Sequence, residues 1–403
     1  MAVEHGVKGF TLEERDRRWA KLRELMGQQG VDVLLVFPRW MPGDALFIAN
    51  TLGAVVFPRE GEPTFIAPRA MRSVPADAWI QDVRAANPSG SPAAALGAGV
   101  AARLREMNAG GKRIAVAGLR GGPYTLVRNP EGYVNYTSLA AVQQVLPNAT
   151  IVDGTPILGE ARYVKGAAEI EALRASEAIA EASAAALAQH ARPGARAAAV
   201  YAEMVAEQLR QGADEAHVAW GGGPWGEPKR RMVSAPPGVI ERGWMLKNEI
   251  EVNVLGYTSQ ISSPVCVGPI PPDAQELFDL GKEAFLRACA LMRPGVIWGE
   301  VIEQVEAVSR DPRYKVEFLI HGRGLGDEGP MFIPTDDHRQ NPLWTDTLRA
   351  NTAFILKPYA YRADGPRDDW STGYNVTWGD TVLVGETGTQ RLGARPHALV
   401  SVS

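Results

Sequence analysis

Residues 319–330 read LIHGRGLGDEGP. His321 heads a glycine-rich run, and two acids, Asp327 and Glu328, follow it. An imidazole titrates near neutral pH, so His321 suits proton transfer in both directions. A carboxylate close by, from Asp327 or Glu328, can orient the ring or bind a cationic substrate. Glu251 and Asn253 in EIEVNVLGYTSQ lie two apart and face the same side of a strand. They offer a base and an amide that holds a carbonyl. Gln260 adds a neutral hydrogen-bonder, and Tyr257 a further substrate contact. Lys357 follows the apolar run AFIL and precedes Pro358. An ammonium so placed can bind a substrate carboxylate, stabilise an oxyanion, or act with a lowered pKa. The stretch WGGGPWGEPKRR joins a glycine-rich turn to the basic residues Lys229, Arg230 and Arg231. It reads as a substrate lid, with Trp225 stacking on a planar or cationic group and Arg230 gripping a carboxylate. His217, just upstream in AHVAW, faces the same pocket if the strand register permits. Plainer readings stand beside these: a histidine bonded to its own loop, an exposed strand lysine, a solvated turn, a surface loop. The polar insertion carrying Asp368, Asp369 and Trp370 reads as loop surface.

The elements that must position these side chains follow from periodicity. Thr11 and Glu14 form the signature of a capping box. Leu12, Trp19, Leu22, Leu25 and Met26 then recur at helical spacing, and Gly30 ends the helix. VDVLLVF reads as a buried strand, AVVFPREGEPTFIAP as a hairpin, and DVRAA, RIAVAG and ATIVDG as short strands. Further on, GAAEIEALRASEAIAEASAAALAQH is a long helix stopped by Pro193-Gly194, and ARAAAVYAEMVAEQLRQG a second. KNEIEVNVLGYTSQISSPVCVG reads as two strands around a turn. Two more helices follow, and AFILKPYAY and DTVLVGET close the chain as strands. Helix pairs alternating with antiparallel strands predict an α+β domain.

Bulk properties set limits. The 403 residues suffice for two ordinary domains, and 45% hydrophobic with 22% charged is normal for a globular chain. A net charge of −4 gives no reason to expect nucleic acid or an anionic membrane as partner. Cys266 and Cys289 are too few for a disulfide framework and read as small buried hydrophobes. The first residues lack the apolar core of a secretory signal, and no segment is apolar enough to span a membrane. A cytoplasmic location is therefore expected.

Taken in order, these segments resemble the creatinase/prolidase/methionine aminopeptidase superfamily, the pita-bread fold. RYVKGAAEIEALRASEAIAEAS is similar to its linker helix, and LMRPGVIWGEVIEQV to a helix pair. IHGRGLGDEGP is similar to its histidine loop, NTAFILKPYAY to a central strand, and GDTVLVGETGTQRL to its ending. The resemblance implies a small N-terminal α/β domain, residues 1–158, and a C-terminal pita-bread domain, residues 159–403. It also implies a homodimer, with Arg39 and Trp40 closing over the neighbour's site.

Metallopeptidases of this kind hold two metals with two Asp, one His and two Glu. Carried over position by position, the Asp places fall on Asn253 and Gln260, the His on His321, and the Glu places on Lys357 and Gly379. A lysine ammonium there repels a divalent ion by several kcal/mol at ~4 Å and intermediate dielectric. The expectation is therefore no metal and no cofactor. Creatinase, which the strand IEVNVLGYTSQ resembles, also works without metal. This chain departs from it by lacking the upstream catalytic histidine and by having Lys357 for a glutamate. The sequence thus predicts a metal-independent hydrolase of a C–N bond, amide, amidine or cyclic amidine, in a small polar metabolite. In it His321 is the acid–base, Glu251 or Asp327 assists, and Lys357 with Arg230 binds an anionic group. The rivals are an Xaa-Pro metallopeptidase, a lyase acting on a C–O or C–S bond, and a peptide-binding pseudo-enzyme.

Overall fold

A computed structural model describes residues 9–38, 43–68, 78–86, 91–119, 134–227, 238–332, 338–364 and 375–403. Arg39, Trp40, Lys229, Arg230, Arg231, Asp368, Asp369 and Trp370 lie outside the described residues. The chain forms two compact units: Lys8–Tyr163 with Leu325–Gly329, and Val164–Gly324 with Pro330–Ser403.

The first unit has helices α1 (Leu12–Gln28), α2 (Gly43–Ala49), α3 (Pro92–Glu106), α4 (Tyr136–Val145) and α5 (Thr155–Tyr163). Its strands are β1 (Val33–Val36), β2 (Ala54–Pro58), β3 (Thr64–Ala67), β4 (Asp82–Ala85), β5 (Arg113–Val116) and β6 (Thr150–Asp153). They form one sheet in the order β4-β3-β2-β1-β5-β6. Thr11 caps α1, its hydroxyl accepting from the Glu14 N–H at 3.3 Å. The Glu14 carboxylate, expected to complete a capping box, instead pairs with Arg17 and Arg18. Val33, Leu35, Val56, Ile66, Val100, Leu104 and Ile114 make the core between this sheet and α3. Each such burial stabilises by about 1.5–3 kcal/mol.

The second unit begins with α6 (Ala167–His190), α7 (Ala197–Arg210) and β7 (Ala216–Pro224). Then come β8 (Trp244–Val254), β9 (Tyr257–Ile261), β10 (Val265–Val267), α8 (Pro272–Leu291) and α9 (Trp298–Glu306). It ends with β11 (Tyr314–Gly322), β12 (Met331–Phe332), β13 (Thr352–Arg362), β14 (Asn375–Thr377), β15 (Asp380–Val384), β16 (Thr389–Arg391) and β17 (Val400–Val402). One sheet runs β17-β10-β8-β7 with β9 beside β8; the other runs β12-β11-β13-β15-β16 with β14 beside β13. Two readings shift here. The glycines of WGGGP continue β7 rather than opening a lid, and His321 lies within β11 rather than at the head of a loop.

Strand alternation gives each sheet two unlike faces. Leu246, Ile250, Val252 and Val254 of β8 join Val218, Trp220 and Ile261 against Leu187, Val200 and Met204 of α6 and α7. The intervening residues Lys247, Glu249, Glu251 and Asn253 face the other way. In the second sheet Phe354 turns outward to Trp298 of α9, ring centroids 5.0 Å apart. Lys357, at odd spacing from Phe354, turns inward. Helices therefore cover the outer faces, and polar inner faces meet each other. Among the described residues no helix is long and apolar enough to cross a membrane.

Candidate active site

Register carries a single row of residues across both sheets of the second unit. Ile250 pairs with Ile261 and Leu246 with Val265 in an uninterrupted register, which sets Glu249 level with Ser262. Ser262 and Gly379 exchange two backbone hydrogen bonds, each of 3.0 Å, and so join one sheet to the other. Leu356 pairs with Asp380 and Tyr359 with Thr377, which sets Lys357 level with Gly379. Lys357 in turn opposes Leu319. Directly opposed residues point to the same side, so Glu249, Ser262 and Lys357 share the inner face.

Gly379 is what lets the row close. A Cβ built there would fall on Cγ of Lys357 and lie 2.9 Å from the Leu356 carbonyl oxygen. The lysine stem occupies the space a side chain at 379 would need. Its Nζ donates to Glu249 Oε1 at 2.5 Å. Lys357 is 1% exposed and Glu249 7%, so water screens this ion pair little. His321, buried, lies on the same face, two residues along β11 from Leu319. Arg323 donates to Glu251 Oε1 at 2.6 Å and also to the Gln260 side-chain oxygen. Lys247 donates to Asn375 Oδ1. Tyr361 donates to Glu317 at 2.9 Å, and its ring lies 5.4 Å from that of Tyr359.

The predicted residues thus divide. His321, Lys357, Glu251 and Gln260 come together on the inner face. Asn253 is on that face but at its far end, at the hairpin end of β8, donating to Glu215 at 2.9 Å and accepting from Thr258. The side chain facing Lys357 is Glu249, which the sequence reading passed over. The signal was available, because Glu249 lies two residues before Glu251 and so shares its face. Tyr257 turns to the opposite, helix-covered face, where its hydroxyl donates to Glu169, the residue that also accepts from Gly166 N–H at the start of α6. That hydrogen bond ties β9 to the start of α6. Glu328 is held within the first unit by Arg162 at 2.7 Å, and Arg162 also pairs with Asp44. Both partners neutralise a buried guanidinium, so Glu328 serves structure there. Asp327 is buried in the same short loop. Trp225 is half-buried, its indole N–H donating to Asp273 at 2.8 Å, and His217 is exposed on the edge strand β7.

Behind Gly379, Asp380 points away from the inner face. It accepts from Arg395 at 2.8 Å and from Arg391. Burial draws its carboxyl upward, but a hydrogen bond from Glu177 and the two guanidinia hold it below the usual range. Burial, and then the Asp380 charge, push the Glu177 carboxyl well above its ordinary value.

The ligand set of a two-metal centre does not fit this row. Gln260 is engaged by Arg323, position 379 has no room for a side chain, and the Lys357 ammonium lies on Glu249. Among the described residues no three His, Cys, Asp or Glu side chains gather as a metal ion requires.

The chain is 26% identical over 416 aligned residues to a probable dipeptidase PepE of Mycobacterium tuberculosis, covering 98% of this chain and 99% of that protein. A shorter match, 30% identical over 142 residues, is to an agropine synthesis cyclase of Rhizobium rhizogenes; it covers 34% of this chain and 32% of that protein. In fold, the crystal structure of dipeptidase PepE from Mycobacterium ulcerans superposes with a TM-score of 0.73 at 21% identity, covering 98% of this chain and 100% of that one. Two sheets meeting through polar faces under outer helices are thus the pita-bread architecture. Residues 171–386, more than half of the 403, match the model of metallopeptidase family M24, and the chain belongs to that family.

Proposed function

We propose that this protein is a metal-independent hydrolase that cleaves a C–N bond of amide, amidine or cyclic amidine type in a small polar metabolite. The observation that carries this reading is the buried Lys357–Glu249 ion pair lying over Gly379. A fixed ammonium supplies positive charge from within the chain, where it can bind a carboxylate or steady an oxyanion. A divalent ion at ~4 Å from it would meet several kcal/mol of repulsion. His321 moves the proton, and Arg323 holds Glu251 and Gln260 in place around it. The relatives lend support: dipeptidases, by that name, act on a C–N bond, and a cyclase closes a ring. We place the enzyme in the cytoplasm as a homodimer.

The full-length similarity to a probable dipeptidase favours a second reading, a peptidase that takes up metal despite this ligand set. Metal analysis of the purified protein, chelator treatment, and turnover in labelled water on panels of dipeptides and small amides separate the two. The first reading expects sub-stoichiometric metal, activity indifferent to chelator and lost in His321→Ala, and one labelled oxygen in the product. Stoichiometric metal whose removal abolishes turnover would establish the second instead.

A further inference from the structure

The inner row contains one more reactive group. Ser262 stands between Glu249 on one side and Gly379, crossed by the Lys357 stem, on the other. It is 1% exposed, yet its hydroxyl has no hydrogen-bond partner among the described residues. Buried hydroxyls are ordinarily satisfied, and leaving one unmade costs stability. Three chemically matched groups therefore line up on one face: a carboxylate, a hydroxyl awaiting a partner, and an ammonium.

We propose that Ser262 is a catalytic nucleophile and that the reaction passes through a covalent ester on its Oγ. This deepens the metal-independent reading above and rests on it. Glu249 and Ser262, opposed across antiparallel strands, have Cβ atoms roughly 4.5–5.5 Å apart, within reach of a glutamate carboxylate. When the carbonyl or amidine carbon of the substrate settles over the row, Oγ forms a bond to it. The Oγ proton passes to the Glu249 carboxylate and, through His321 on the same face, on to the nitrogen, which leaves as the C–N bond breaks. Lys357 offsets the charge that develops on the carbonyl oxygen, or on the amidine nitrogen in its place. Water then attacks the same carbon; its proton returns through Glu249 to Oγ, and the acid or amide product departs. Protons, electron pairs and leaving groups balance without any further reagent. In the resting structure Lys357 and Glu249 hold each other, and such bonds commonly realign once substrate is bound. An ester intermediate can be released by any nucleophile held against it, an amine or hydroxyl of the same substrate as well as water. The site is thus suited to substrates that carry such a group, which would leave as cyclic products.

The test uses the full-length protein and a fluorophosphonate, followed by intact mass and peptide mapping. One adduct is expected on the peptide holding Ser262, absent from Ser262→Ala and slowed at least tenfold in Glu249→Gln. Ser262→Ala is also expected to melt no lower than the parent, because the hydroxyl it removes has no hydrogen-bond partner among the described residues; a merely structural serine would lower the melting temperature. No adduct at Ser262, or an adduct that persists in Ser262→Ala, overturns the proposal. These labelling results do not depend on metal content or on His321→Ala. Failure here with chelator-resistant turnover removes only the nucleophile, whereas metal-dependent turnover removes the broader reading.

Discussion

The Lys357–Glu249 pair invites a double-mutant cycle. Side-chain exposure is 1% for Lys357 and 10% for Glu249, and the charged atoms lie 2.5 Å apart. At an effective dielectric near 20, two unit charges at that distance attract by roughly 6–7 kcal/mol. Desolvation of each ion, at several kcal/mol, offsets much of this. The pair is therefore nearly neutral as a whole and costly to halve. Lys357→Met removes the buried cation paired with Glu249, and Glu249→Gln removes the buried anion paired with Lys357. Each is expected to lower unfolding free energy by about 3–5 kcal/mol. The double variant removes both charges at similar volume and is expected to lie within about 2 kcal/mol of the parent. Urea unfolding at pH 7, followed by tryptophan fluorescence with the slope checked for constancy, reads all four corners. Costs that simply add in the double variant would show that the two side chains do not share one buried interaction, and the account of the site would fall with them.

Other outcomes follow from the same contacts. Gly379→Ala is expected to cost about 1–3 kcal/mol through overpacking; the cost should shrink in a Lys357→Ala background, where the colliding Cγ is gone, and thermal melts of the two series measure the difference. Glu177 binds its proton more tightly when folded than when unfolded, so its contribution to stability falls as pH rises above its ordinary 4.5. Glu177→Gln should therefore flatten the decline of melting temperature above that pH, and an unchanged slope would contradict the upward shift of Glu177. Arg162→Ala removes the buried guanidinium that pairs with the carboxylates of both Asp44 and Glu328. A loss of about 3–5 kcal/mol is expected by denaturant titration.

Much of the fold was legible because local pattern and global structure agree. Thr11 caps a helix, Pro193-Gly194 ends one, and the alternation in β8 separates a helix-covered face from a polar one. The apolar run before Lys357 signalled correctly that this lysine is buried. What escaped was pairing at a distance. The side chain that meets Lys357 depends on strand register, which sets Glu249 rather than Asn253 in the row. Alternation alone would have turned Tyr257 away from Gln260, since the two stand three positions apart on one strand. No local pattern shows that a glycine at 379 makes room for the lysine stem of another strand. Nor could Glu328 be assigned, because its partner Arg162 lies 166 residues earlier.

That last separation bears on how the protein is made. The first unit is not complete when Tyr163 leaves the ribosome, since it also contains Leu325–Gly329. At about 5–20 residues per second, the missing loop emerges roughly ten to thirty seconds later. Until then Arg162 has Asp44 but not Glu328. A fragment cut at Tyr163 would preserve that unfinished condition permanently, so dissecting this chain into separately expressed halves calls for supplying the loop in trans or grafting it onto the shorter piece.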